Sequence, residues 1–303
     1  MPQNDLSHED GPLRLGTRGS KLALVQANLV AGLLGCACEI VVLKTSGDRI
    51  QDRSLADAGG KGLFVKELED ALLADRIDLA VHSMKDVPVA LPPGLAIAAL
   101  LPREDPRDVF VSVKSPSLAQ LPQGARVGTS SVRRAAQVRR VRPDLDCVLL
   151  RGNVDTRLAK LDAGEMDAML LALAGLKRLG LEHRATQMLD FLPALAQGAI
   201  GIEIRENDTR ARTAVAPLND AHTEAALACE RAFQDALGGS CRSPMAGLAR
   251  IEEGRVVFDG EVLAPDGSDH VQTHIEVPLR EAARAGHEAG LSIRPRAAPW
   301  LDL

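Results

Sequence analysis

His82, Ser83, Lys85 and Asp86 follow directly on the apolar run Leu79, Ala80, Val81. That run is too brief for a helix and reads as a buried strand. Pro88 fixes its own φ and biases Val87 toward extended backbone, which forbids a simple continuation into a helix. In α/β proteins ligands bind in the crevice at the carboxyl ends of the strands. A carboxylate and an ammonium delivered there could move protons and hold anions. Taken alone, the same residues suit a salt-bridged or capping corner between strand and loop better than chemistry.

Two further groups could do chemistry. Arg18, Arg133, Arg134, Arg151 and Arg157 each lie beside Gly, Ser, Thr or Asn, at expected strand ends or first helical turns. Helix N-termini already favour anions, and a guanidinium there adds bidentate recognition of carboxylate or phosphate. The stretch 126–142 is the densest, with six arginines and no acid. By itself it also fits a solvated basic helix face or a nucleic-acid contact. Several such turns together suggest a polyanionic small molecule. Cys241 stands in a glycine-rich loop between Ser240 and Arg242. The neighbouring guanidinium favours the thiolate. With no His or Asp partner in its segment, covalent attachment fits as well as nucleophilic catalysis.

Composition narrows the classes. A chain of 303 residues, 46% apolar and 25% charged, has room for two or three cored domains. A net charge of −5 and 2% aromatics argue against nucleic-acid binding. No apolar run approaches the length of a membrane span and no secretory pattern opens the chain, so a cytoplasmic location is expected. Five cysteines without a Cys-x-x-Cys pair read as reduced thiols, with no metal set.

The elements that must position these groups alternate. A strand near 13–16 leads into a helix to about 34, capped by Ser20 and striped by Leu22, Val25, Leu29 and Leu33. A strand over 39–44, a polar loop, and a helix over 64–74 follow, then the strand before His82. A charged hinge, 102–108, opens a second alternation: strands at 109–113, 126–128, 147–150 and 167–171, with helices over about 132–142 and 154–162. Asn219 or Asp220 caps a long helix to about 237. Strands at 245–251, 256–263 and 271–277 come next, with Pro278 at the first turn of a last helix and an irregular tail after 291. The expected fold is therefore α/β, with mainly parallel sheets in two lobes facing one cleft and a small α+β domain at the C-terminus. The first lobe is assigned 12–101 with 202–218, the second 105–197, and the C-terminal domain 219–303.

Taken together the motifs resemble the porphobilinogen deaminase family. They include Thr17-Arg18-Gly19-Ser20, the run from Gly59 to Leu68, the run from Val81 to Pro88, and the run from Arg103 to Asp108. Further on they include Val127 to Arg134, Leu150 to Leu158, Ala174 to Gly180, Gln197 to Glu203, and Gly239 to Pro244. The resemblance spans about 13–267. It implies lobes like those of periplasmic binding proteins and a monomer that joins four porphobilinogen molecules head to tail, releasing ammonia each time. It also implies a dipyrromethane cofactor held as a thioether by Cys241. Asp86 matches the catalytic carboxylate, which would steady the azafulvene cation and exchange protons. Lys85 matches a ligand of cofactor carboxylates. Ser83, Asp48, Thr129, Ser131, Arg133, Arg134, Gly152 and Arg157 match the cofactor's surroundings, with Ser130 beside them. Arg18, Ser20, Arg151, Arg178, Gln197, Lys61 and Phe64 match positions around the substrate. His82 is left with local hydrogen bonding. A solute-binding module would share the cleft but would not need Cys241.

Overall fold

A computed structural model of the protein describes residues 11–45, 62, 64–238 and 243–301. The first part runs β1 (Leu13–Arg18), α1 (Lys21–Leu33), β2 (Cys38–Leu43), α2 (Lys66–Leu73), β3 (Leu79–Ser83) and β4 (Leu95–Leu100). The second runs β5 (Asp108–Val111), β6 (Arg126–Thr129), α3 (Val132–Val141), β7 (Asp146–Leu149), α4 (Val154–Asp162), β8 (Ala168–Ala172), α5 (Leu173–Arg178) and β9 (Gln187–Met188). Then come β10 (Ile200–Arg205), α6 (Thr209–Val215), α7 (Ala221–Leu237), β11 (Met245–Glu252), β12 (Arg255–Leu263), β13 (His270–Pro278) and α8 (Ala282–Ala297).

One sheet is ordered β2-β1-β3-β10-β4 and a second β7-β6-β8-β5-β9. In the first, β1 runs parallel to β2 and β3, while β10 is antiparallel to β3 and β4. In the second, β6 is parallel to β7 and β8, and β5 is antiparallel to β8 and β9. Each lobe is thus mainly parallel with one reversed strand. β10 brings the chain back to the first sheet after the second is complete. The outgoing and returning segments lie side by side, joined by Leu101 N to Ile200 O at 3.0 Å and Glu104 N to Gly198 O at 3.2 Å. Gly198 has φ +91°, and a Cβ there would fall 2.3 Å from the Glu104 carbonyl oxygen, so glycine is what lets the two crossovers touch.

The C-terminal unit is the antiparallel meander β11-β12-β13 covered by α7 and α8. Its core holds Phe233 and Phe258 edge to face, centroids 4.9 Å apart. The tail is not irregular after Leu291. α8 continues to Ala297 through Pro295, because Ile293, Ala297 and Leu301 are buried in that core and their packing outweighs the backbone bond that proline removes. Pro278 closes β13 rather than opening the helix.

The six arginines of 126–142 do not form a solvated basic face. Arg133 and Arg134 turn inward to Asp108, and Arg142 binds Asp144 and three carbonyls. Arg126 donates to Glu165 O, while Arg139 and Arg140 reach Pro265 O and Glu261 of the C-terminal unit. Glu230, wholly buried on α7, accepts from Arg103 Nη1 and Nη2 at 2.6 and 3.1 Å, and from the amides of Ala196 and Ala249 at 2.5 and 2.8 Å. One carboxylate therefore ties both crossovers to the C-terminal unit.

Candidate active site

β3 ends at Ser83 and breaks into a single 3-10 turn, Met84–Asp86. Met84 and Val87 are buried and act as the turn's anchors, with Met84 N donating to Ala199 O and Val87 N to Met84 O. The two residues between them, Lys85 and Asp86, are left facing open space. That space is a cleft of about 730 Å³ between the lobes, within the usual size for a small-molecule site. The Asp86 carboxylate makes no hydrogen bond to a described residue. His82, four residues earlier, is buried, and its Nε2 lies 2.9 Å from Glu203 Oε2, so it has a structural partner behind the sheet.

The second lobe supplies the opposite wall. Ser131 caps α3, its Oγ accepting from Arg134 N, so the first turn of the helix carries Arg133 and Arg134 to the cleft. Both guanidinium groups converge on Asp108, itself fully buried. Arg133 Nη1 and Arg134 Nη2 each lie 2.7 Å from one of its oxygens. Gln197 Nε2 donates to the same carboxylate at 2.8 Å, while Gln197 Oε1 stands 3.4 Å from both Lys85 Nζ and Arg134 Nη2. Burial would raise the Asp108 pKa, but the two cations hold it far below the usual carboxylate range. Nε of Arg133 and Nε of Arg134 are buried with no hydrogen-bond partner among the described residues.

Arg151, Gly152 and Arg157 stand at the start of α4 and Arg178 at the end of α5. Arg157 Nε donates to Gly152 O at 2.8 Å, and Arg178 Nη2 to Gly198 O at 2.6 Å. Burial lowers the pKa of all three arginines. For Arg157 it falls to about 10, with Arg134 and Arg151 pushing the same way and Asp86 opposing. Lys85 opens to the cleft yet is ringed by protein, and that desolvation brings its pKa down to about 8; Arg134 and Arg133 add to the effect, Asp86 and Asp108 oppose it. Desolvated like charges are relieved by anions.

On the first lobe Arg18 stacks over Phe64 with its carbon 4.2 Å from the ring centre, and Ser20 caps α1. Ser83 Oγ exchanges hydrogen bonds with Gln26 at 3.0 and 3.2 Å. All of these line the cleft, as does Ser130. Thr129 is buried beneath it, its Oγ1 accepting from Ser131 N. Asp48, Lys61 and Cys241 lie outside the described residues. Gln26 and Asp108 are additions to the sequence reading. Asp108 closes a quoted motif, but nothing local to it reveals partners 25 and 26 residues away.

A two-lobed α/β cleft with a carboxylate at a strand end and desolvated cations around it defines a protein that works on a polyanionic small molecule. A family profile described as porphobilinogen deaminase, dipyrromethane cofactor binding domain, matches residues 13–213, and the porphobilinogen deaminase C-terminal domain profile matches 225–294. A porphobilinogen deaminase from Nitrobacter hamburgensis is 52% identical over 293 residues, covering 93% of each chain. The chain belongs to the porphobilinogen deaminase family. Among solved structures, a periplasmic substrate-binding protein of an ABC transporter from Coxiella burnetii overlaps 68% of this chain and 91% of its own, with 16% identity and a TM-score of 0.44. A nutrient-binding protein from Burkholderia cenocepacia overlaps 67% and 89%, with 13% identity and a TM-score of 0.41.

Proposed function

We propose that this chain condenses four porphobilinogen molecules into a linear tetrapyrrole, with Asp86 as the catalytic residue and Cys241 as the tether of a dipyrromethane. The observation that carries the site assignment is the convergence of Lys85, Arg151, Arg157 and Arg178 on the cleft at Asp86, each with its pKa lowered by burial. Such a site is incomplete without anions, and every pyrrole unit of this chemistry brings an acetate and a propionate.

The donor set fits the cofactor. The unpartnered Nε atoms of Arg133 and Arg134, the Lys85 ammonium and the hydroxyls of Ser83, Ser130 and Ser131 are all carboxylate ligands by type. When bound, the dipyrromethane would supply the pyrrole carbon that receives each new unit. The protein's own part falls to Asp86. Its carboxylate would stabilise positive charge developing on the substrate as ammonia leaves, and would pass protons at the pyrrole N–H and the departing amine. Arg18, held over Phe64, and Arg151 and Arg178 would orient the incoming carboxylates.

The family resemblance supports a monomer; size-exclusion mass measurement tests it. Four described cysteines are unbridged, which supports a reducing, cytoplasmic setting. Among the described residues no helix is long and apolar enough to cross a membrane. Intact-mass measurement should show a dipyrromethane adduct that Cys241→Ser lacks, and Asp86→Ala should fold yet lose turnover. An unmodified chain with full activity would overturn the tether, and an active Asp86→Ala enzyme would overturn the catalytic assignment.

A further inference from the structure

Arg231 lies outside the cleft, on the face of α7 that meets the first lobe. Leu227, one turn before it, packs in a buried cluster with Met84 and Val87, the two anchors of the Asp86 turn. Gln234, one turn after it, lines the cleft. Between them the Arg231 guanidinium donates to three successive carbonyls: Val87 O at 3.2 Å, Pro88 O at 2.7 Å and Val89 O at 3.1 Å. This segment begins at the residue after Asp86. It is neither helix nor strand, so no regular backbone ladder pairs these carbonyls. A planar fork of donors satisfies three acceptors in a way that a single ammonium does not. Burial lowers the guanidinium's pKa, an effect that Glu203 offsets.

α7 then runs six residues beyond Arg231 to Leu237 and ends at Gly238, in the left-handed conformation. Cys241 follows three residues later. One side chain thus joins the helix that leads to the thiol with the turn that presents the carboxylate.

We propose that Arg231 is a positioning residue for the condensation: by clamping 87–89 it sets where Asp86 stands relative to α7 and its C-terminal end. This rests on the reading of Asp86 as the catalytic residue. A misplacement of about 1 Å at a reacting group costs on the order of 10²-fold in rate. Arg231→Met, which keeps an apolar stem and removes the fork, is therefore expected to lower kcat by roughly 10²-fold. It should leave KM for porphobilinogen within about threefold of wild type and the dipyrromethane adduct intact by mass. Arg231→Lys should recover part of that loss. Ile293→Ala loosens the C-terminal core away from the Asp86 turn, and should lower Tm while keeping kcat within about threefold. The clamp is overturned if Arg231→Met keeps kcat within threefold, or if Ile293→Ala loses as much kcat as Arg231→Met does. Should Arg231→Met not fold, Arg231→Lys decides: kcat down more than threefold at unchanged KM supports the clamp, and a smaller change overturns it. Asp86→Ala is assayed in parallel. Its activity would remove the reading beneath the clamp, whereas an inactive Asp86→Ala beside an active Arg231→Met would remove the clamp alone.

Discussion

Replacing Asp108 by asparagine is the sharpest test of how the cationic wall is held. The carboxylate is completely buried and accepts three short hydrogen bonds, two from guanidinium groups at 2.7 Å and one from Gln197 at 2.8 Å. Asparagine offers one oxygen and one amide nitrogen, so in either orientation a donor faces a donor. Two buried cations would also lose their shared counter-charge. Removing one partner of a buried ion pair costs about 3–5 kcal/mol. For cooperative unfolding of 303 residues this corresponds to a Tm lower by about 5–8 °C. Urea and thermal denaturation read both quantities. A double-mutant cycle with Arg133→Met isolates the pair, since Asp108→Asn should cost much less where that cation is gone. The pH dependence has a definite sign. A carboxyl held below its unfolded pKa adds stability above the ordinary carboxylate range and loses it only as pH falls through the depressed value. The wild-type protein should therefore keep its advantage over Asp108→Asn down through pH 4. A loss under about 1 kcal/mol, or strict additivity with Arg133→Met, would refute the reasoning.

Asp78 gives a second pH test. Burial would raise its pKa, but hydrogen bonds from Arg14 and Arg205 bring it down to about 2, which places about 2 kcal/mol of stability above pH 4 that disappears as pH falls through 2. Asp78→Asn should flatten that acid limb in urea titrations, and an unchanged limb would count against the pair. Gly198→Ala should cost about 2–4 kcal/mol, because its Cβ would meet the Glu104 carbonyl at 2.3 Å and φ is +91°; a neutral result would mean that the crossovers part at little cost. Lys85 has its pKa brought down to about 8 by burial, so its ammonium is lost as pH rises through that value. Wild-type apoprotein should acquire its cofactor faster than Lys85→Met below pH 8, by intact mass, with the advantage shrinking above it; a constant ratio would rule out the ammonium.

What could be read in the sequence was local. The strand before His82, the break imposed by Pro88 and the cap at Ser20 are short-range consequences of residue type, and they sufficed to bring Lys85 and Asp86 to a cleft. The lobe strands were legible where apolar runs were bounded by turns. Leu95–Leu100 was not singled out, although it forms the edge strand β4. The charge pattern over 126–142 left its reading open, because a run without acids can look solvated until Asp108, Glu261 and the carbonyls at 118–121 arrive from elsewhere in the chain. Pro295 misled for a similar reason: its local penalty is plain, and the long-range burial of Ile293 and Ala297 that overrides it is not. Glu230 looked like any helical glutamate, and its four donors come from three separate segments.

Those long-range contacts also decide how the three units share the site. The second lobe meets the C-terminal unit through Arg139, which donates to Pro265 O, through the part-exposed Arg140 on the buried Glu261, and at Gly267, which packs against the backbone of Ala136 to Arg140. The first lobe meets it through Arg231 and the buried Leu227, and both crossovers meet it through the fully buried Glu230. A cation that water reaches, as at Arg140, parts from its carboxylate at less cost than one buried with it, as at Arg103 and Glu230, where the cost is several kcal/mol. If the lobes part to admit a lengthening chain, the contact to the second lobe gives way first, and the C-terminal unit stays with the first lobe and the crossovers. Asp86 and the C-terminal end of α7 would then keep their spacing while the wall of Arg133, Arg134, Arg151 and Arg157 moves. That division matches the proposed chemistry: Asp86 keeps its frame, while carboxylates that accumulate unit by unit meet cations that can travel.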